Sequence, residues 1–110
     1  MSQTFDEIAP AIVAARLRDG DADLLLLDVR EREELQFSRV EGALHIPMGE
    51  IAMRQQHIDA DKHVVVMCHH GMRSAMVAAF LKKQGFERVS NLRRGIDAWS
   101  LEADASVPRY

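Results

Sequence analysis

Cys68 is the only cysteine in the chain, and it opens the run Cys68-His69-His70-Gly71-Met72-Arg73-Ser74. An apolar, β-branched stretch precedes it, His63-Val64-Val65-Val66-Met67, and a helical pattern from Ala75 to Gln84, closed by Gly85, follows. The thiol therefore falls where a strand ends and a helix begins. A turn into a helix aims several backbone N–H groups at one point, and the helix dipole adds positive potential there. A thiolate is stabilised by such donors, and so is an oxyanion such as a phosphate or a thiosulfonate. Gly71 lets the backbone turn tightly. Arg73 sits near the positive end of a helix, an unfavourable place for a cation unless it meets an anion, and its guanidinium suits a bidentate one. Ser74 is the expected N-cap. Sulfur or phosphoryl chemistry is the first hypothesis.

The plain alternative makes Cys68 a small buried hydrophobe at a strand end. The glycine and the arginine beside it weigh against that, since a structural cysteine needs neither. His69 and His70 raise a metal reading. Adjacent residues rarely chelate one ion together, and no suitably spaced carboxylate lies nearby in sequence, so no metal is expected. Their other roles are local: positive character and hydrogen bonds at the loop, or plain solvent exposure. Asp28-Val29-Arg30-Glu31 follows a second buried strand and should lie at the same edge. Either Asp28 and Arg30 shape the pocket, or Asp28 caps the next helix while Arg30 pairs with a nearby carboxylate; the structural reading is favoured.

The elements that must position these groups alternate. Pro10 reads as a first-turn proline, with a helix from Ala11 to Arg18 ended by Gly20. Leu24 to Val29 reads as a strand buried on both faces. A short charged helix is expected over Glu31 to Leu35, a strand over Ala43 to Ile46 and a helix over Gly49 to Gln56. Val64 to Met67 is the clearest strand. Ser74 to Gln84 is the clearest helix, with Val77, Phe80 and Leu81 on one stripe. Val89 to Leu92 and Gly95 to Leu101 close the pattern as strand and helix. Such alternation predicts an α/β fold with a parallel sheet and helices on both faces. Ligands in such sheets bind beyond the carboxyl ends of the strands, where Cys68 falls.

With 110 residues, one domain is expected, with a core of about 4–101 and a tail over 102–110 ordered only by local packing. The net charge of −3 offers no field for nucleic acid or an acidic membrane. No run approaches membrane-spanning length, and no signal peptide is recognisable. One cysteine excludes an intrachain disulfide and suits a reducing compartment, so a cytoplasmic location is expected.

Five segments, in order, resemble the rhodanese family of sulfurtransferases. They are Leu27-Asp28-Val29-Arg30-Glu31, the stretch from Glu41 to Pro47, the loop from Cys68 to Ser74, the stretch from Gly85 to Val89, and the stretch from Asn91 to Trp99. The resemblance implies a five-stranded parallel sheet, with an extra strand near Thr4 and Phe5. It implies Cys68 as the catalytic nucleophile and His69, His70, Gly71, Met72 and Arg73 as the substrate-binding loop. It also implies transfer of a sulfane sulfur from thiosulfate or a persulfide to cyanide, a thiol or a carrier protein, without a cofactor. There are departures: Ser38-Arg39-Val40-Glu41 stands where the family often reads Gly-His-Ile-Pro, and Arg94 replaces the first of two glycines before the last helix. Two other classes stay open on the same fold, a non-catalytic carrier or regulatory module and a cysteine-dependent phosphatase or arsenate reductase. Four residues separate Cys68 from Arg73, a shorter ring than phosphatases use.

Overall fold

The sequence pattern becomes a five-stranded sheet in the order β1-β5-β4-β2-β3, described by a computed structural model over residues 5–110. The strands are β1 (Asp6–Ile8), β2 (Leu24–Asp28), β3 (Leu44–His45), β4 (His63–Met67) and β5 (Val89–Leu92). Every pairing is parallel. Strand β1 begins just past the place expected near Thr4 and Phe5; Thr4 lies outside the described residues. The helices are α1 (Pro10–Arg18), α2 (Ile51–Arg54), α3 (Met72–Lys83) and α4 (Gly95–Glu102). Single 3₁₀ turns stand at Arg32–Gln36, where a charged helix was expected, and on either side of α2. The helix expected over Gly49 to Gln56 is thus three short pieces. Only Ile51 buries its side chain in them, while Met53 faces solvent, so little apolar surface holds a longer helix together.

Strand β4 is central, and its residues from Val64 to Met67 are fully buried because helices cover both sheet faces. Alternation along the strands sorts the core. Leu27, Val64 and Val66 pack with Ile51 of α2 and with Val77, Ala78 and Leu81 of α3. Leu26, Val65 and Met67 pack on the other face with Val13 and Ala14 of α1 and Ile96 and Trp99 of α4. Each such aliphatic side chain contributes roughly 1.5–3 kcal/mol by leaving water.

The topology also chooses the functional edge. The chain leaves β2 for β3 on one side and β4 for β5 on the other, so a crevice opens between the carboxyl ends of β2 and β4. Asp28 and Met67 are register partners there, and the next residues on each strand, Val29 and Cys68, line its floor. Among the described residues, no helix is long and apolar enough to cross a membrane.

Candidate active site

Residues 68–71 turn from β4 into α3 with Gly71 at φ +106°, a conformation that only glycine adopts without strain. Helix α3 starts at once, at Met72. Ser74 is therefore the third helical residue and not the N-cap, a correction to the sequence reading. Its hydroxyl points inward, donating to Asn91 Oδ1 at 2.5 Å and lying 3.3 Å from Cys68 Sγ. The Gly71 N–H donates to Sγ at 3.1 Å.

The loop's carbonyls are turned away from the thiol by specific donors. Cys68 O accepts from Ile96 N–H at 2.9 Å and His69 O from Asp97 N–H at 3.2 Å, both at the start of α4. Gly71 O accepts from Ala75 N–H and from Asn91 Nδ2. With the carbonyls of Cys68, His69 and Gly71 so bound, the N–H groups of His69, His70, Met72 and Arg73 have no backbone acceptor among the described residues. That is the polarity an anion requires. Gly95 is essential to this packing: at φ +64°, any Cβ would run into the carbonyl oxygens of Cys68 and His69. Arg94, where the resemblance leads one to expect glycine, holds the left-handed conformation at φ +60°. Cys68 itself is only 1% exposed, at the bottom of a depression lined by His69, His70, Met72 and Arg73.

Arg73 lines that depression with its guanidinium engaged. Its two terminal nitrogens donate to the two oxygens of Glu34 at 2.6 and 2.9 Å. Glu34 also accepts from the Tyr110 hydroxyl at 2.7 Å and from its own capping-box partner, Glu31 N–H. The Arg73 hydrogen bonds hold the Glu34 carboxyl down at about 2, and the same pair raises the Arg73 pKa. Asp28 and Arg30 pair with each other. Arg30 is fully buried and donates Nε and Nη2 to the Asp28 carboxylate, with Nη2 at 2.7 Å. Asp28 does not cap the following turn; Glu31 does, because Asp28 is spent on Arg30.

The histidines differ from each other. His69 lies half-buried, stacked on the Tyr110 ring at 3.9 Å, with the His70 ring tilted against it at 3.9 Å and Nε2 2.8 Å from the Tyr110 backbone oxygen. Burial, then the neighbouring His70, pushes its pKa below the usual imidazole value. His70 is exposed. Folding brings Asp97 to both, so the three come within 4.8 Å, a proximity invisible in sequence. Asp97 is itself bound by Arg109 at 2.8 Å.

Sequence reasoning missed four residues of this site: Glu34, Asn91, Gly95 and Tyr110. The polar pair Ser90-Asn91 inside a strand whose every residue is buried was the available signal for Asn91. Tyr110, the only tyrosine, reaches back across 76 residues to Glu34, so the tail is held by more than local packing.

A parallel sheet covered on both faces, with a lone thiol at the bottom of a strand-to-helix loop, places this chain among α/β proteins with a cysteine at the carboxyl edge of the sheet. Residues 9–102 match the rhodanese-like domain, and the chain belongs to that family. It is similar to the thiosulfate sulfurtransferase GlpE of Glaesserella parasuis, 34% identical over 99 residues, covering 90% of each chain. It is also 40% identical over 82 residues to the putative sulfur carrier protein YrkF of Bacillus subtilis, covering 74% of this chain but only 44% of that longer protein. A crystal structure of a rhodanese-related protein from Thermoplasma volcanium superposes with a TM-score of 0.75 at 31% identity, covering 90% of this chain and 94% of that one. The family, the parallel α/β fold and its five strands agree with the resemblance noted in the sequence.

Proposed function

We propose that this protein is a sulfurtransferase that carries a sulfane sulfur on Cys68. Relatives named as sulfurtransferases support the general activity. The observation that carries the finer reading is the loop around the lone thiol: the Gly71 N–H donates to Cys68 Sγ, and four neighbouring N–H groups have no backbone acceptor among the described residues.

In the first half-reaction the Cys68 thiolate attacks the outer sulfur of thiosulfate. A sulfur–sulfur bond forms to Cys68, the bond to the sulfonate sulfur breaks with its electron pair, and sulfite leaves. The terminal persulfide anion is stabilised by the loop N–H groups, with Gly71 N–H already aimed at the site. In the second half-reaction a cyanide or thiolate attacks that outer sulfur, giving thiocyanate or a new persulfide and returning the Cys68 thiolate. An acceptor can equally be a thiol on a carrier protein. His69, His70 and Met72 form the walls; Arg73 meets the donor's sulfonate with the N–H donors that Glu34 leaves free. No cofactor enters either step. A reducing, cytoplasmic setting belongs to this reading, because it keeps a lone thiol reactive.

The short ring between Cys68 and Arg73 favours a terminal sulfur over a tetrahedral phosphate. Purified protein should therefore transfer sulfur from thiosulfate to cyanide and leave aryl phosphates intact. Phosphate release without thiocyanate formation would move the protein to phosphatase chemistry. Absence of both activities would leave a binding module.

A further inference from the structure

One side chain joins the two buried or half-buried ion pairs at the edge of this site. The Tyr110 hydroxyl accepts from Arg30 Nη1 at 3.0 Å and donates to Glu34 Oε1 at 2.7 Å. It thereby bridges two guanidinium–carboxylate pairs, Asp28–Arg30 at the end of β2 and Glu34–Arg73 at the loop. Its ring lies parallel to His69, at 2° and 3.9 Å, and stacks with Phe37 at 5.7 Å. Its backbone oxygen meets His69 Nε2 at 2.8 Å. The phenol is thus fixed at its hydroxyl by a buried cation and along its ring by the active-site loop and Phe37.

The consequence falls on Arg73. A carboxylate with a single partner can swing; Glu34 is held by Tyr110 and by Glu31 N–H as well, so the guanidinium it grips has one direction to face. We infer that Tyr110 is a positioning residue: through Glu34 it sets how Arg73 presents its free N–H donors to an anionic sulfur donor, and through His69 it fixes one wall over Cys68. This inference rests on the sulfur-transfer reading for its kinetic consequence, but not for the geometric one.

Tyr110→Phe tests it, since the ring and its stacking stay while both hydroxyl hydrogen bonds go. Because the lost hydroxyl acts on the donor only through Glu34, the effect should fall below the one to two decades of a direct charge-assisted contact, at about a fivefold to tenfold rise in KM for thiosulfate. The kcat should stay within about twofold, and KM for an uncharged organic persulfide should not move. The Arg73 side-chain ¹⁵N–¹H signals should shift, and the His69 ring signals should move less than in Tyr110→Ala, which also removes the stack. Melting temperatures of both variants show whether folding is kept. Unchanged thiosulfate KM with unmoved Arg73 signals overturns the inference. Equal KM rises for both donors also overturn it, because Tyr110 would then be holding the loop together rather than orienting a charge. If wild-type protein transfers no sulfur at all, the functional reading fails, and the Arg73 signals alone decide the positioning: a shift in Tyr110→Phe upholds it and no shift refutes it.

Discussion

Arg30 and Arg73 both lie at the carboxyl edge of the sheet, Arg30 two residues past β2 and Arg73 in the first turn of α3 after β4, and each is bound through two nitrogens to one carboxylate. They differ in exposure. The Arg30 side chain is 0% exposed and its partner Asp28 2%, whereas Arg73 and Glu34 are 34% and 18% exposed. The first pair has no solvent to fall back on, so both charges must stay together. The second pair borders the depression over Cys68, where an arriving anion can share the guanidinium. Identical chemistry is thus sealed from solvent in one place and open to it in the other, and the proposed role of Arg73 as an anion receptor depends on that difference.

Removing Arg30 should have the largest effect on folding. Arg30→Met leaves the Asp28 carboxylate buried and unpaired, and should destabilise the protein by about 3–5 kcal/mol in urea denaturation. A loss below about 1 kcal/mol would erase the contrast, since that is the scale of an exposed pair.

Arg73→Ala should show the opposite balance. Its stability should change by no more than about 1 kcal/mol. Thiosulfate turnover should fall by about one to two decades, with a smaller loss for an uncharged persulfide donor. Equal losses for both donors would recast Arg73 as an organiser of the loop.

The Glu34–Arg73 pair also sets a pH window. The Glu34 carboxyl titrates at about 2 in the folded protein, below its ordinary value of 4.5. A lowered carboxylate contributes stability that is fully present above pH 4.5 and disappears as pH falls toward 2. The stability difference between wild type and Glu34→Gln should therefore be level near neutrality and shrink between pH 4.5 and 2. A difference that persists unchanged at the acid end would mean that shape, not charge, matters at this position.

Helix and strand positions were legible where burial follows a simple period. The valines of β4, the four leucines of β2 and the stripe of Val77, Phe80 and Leu81 on α3 all came through, with Phe80 only partly buried. The position of Cys68 at the strand end and the tight turn at Gly71 were legible because both are local to one loop. Ser74 was placed wrongly because the left-handed Gly71 starts the helix at Met72, bringing its hydroxyl round to Asn91. Glu34 and Tyr110 were invisible for another reason: their partners lie 39 and 76 residues away, and no local pattern encodes such a meeting.

The smallest expected effect concerns Arg94. A non-glycine residue at φ +60° carries a left-handed penalty of roughly 1–2 kcal/mol, which glycine largely avoids. Set against glycine's greater freedom in the unfolded chain, Arg94→Gly should stabilise the protein by about 1 kcal/mol or less. A clear loss of stability would show that the Arg94 side chain, near Glu102, contributes more than its backbone strain removes.

The central claim is that Cys68 holds the transferred sulfur, and intact-mass measurement after incubation with thiosulfate tests it most directly. Wild-type protein should gain the mass of one sulfur atom, lost again on adding cyanide, while Cys68→Ser gains nothing. A wild type that gains no sulfur, or a Cys68→Ser protein that gains the same sulfur, would contradict the account.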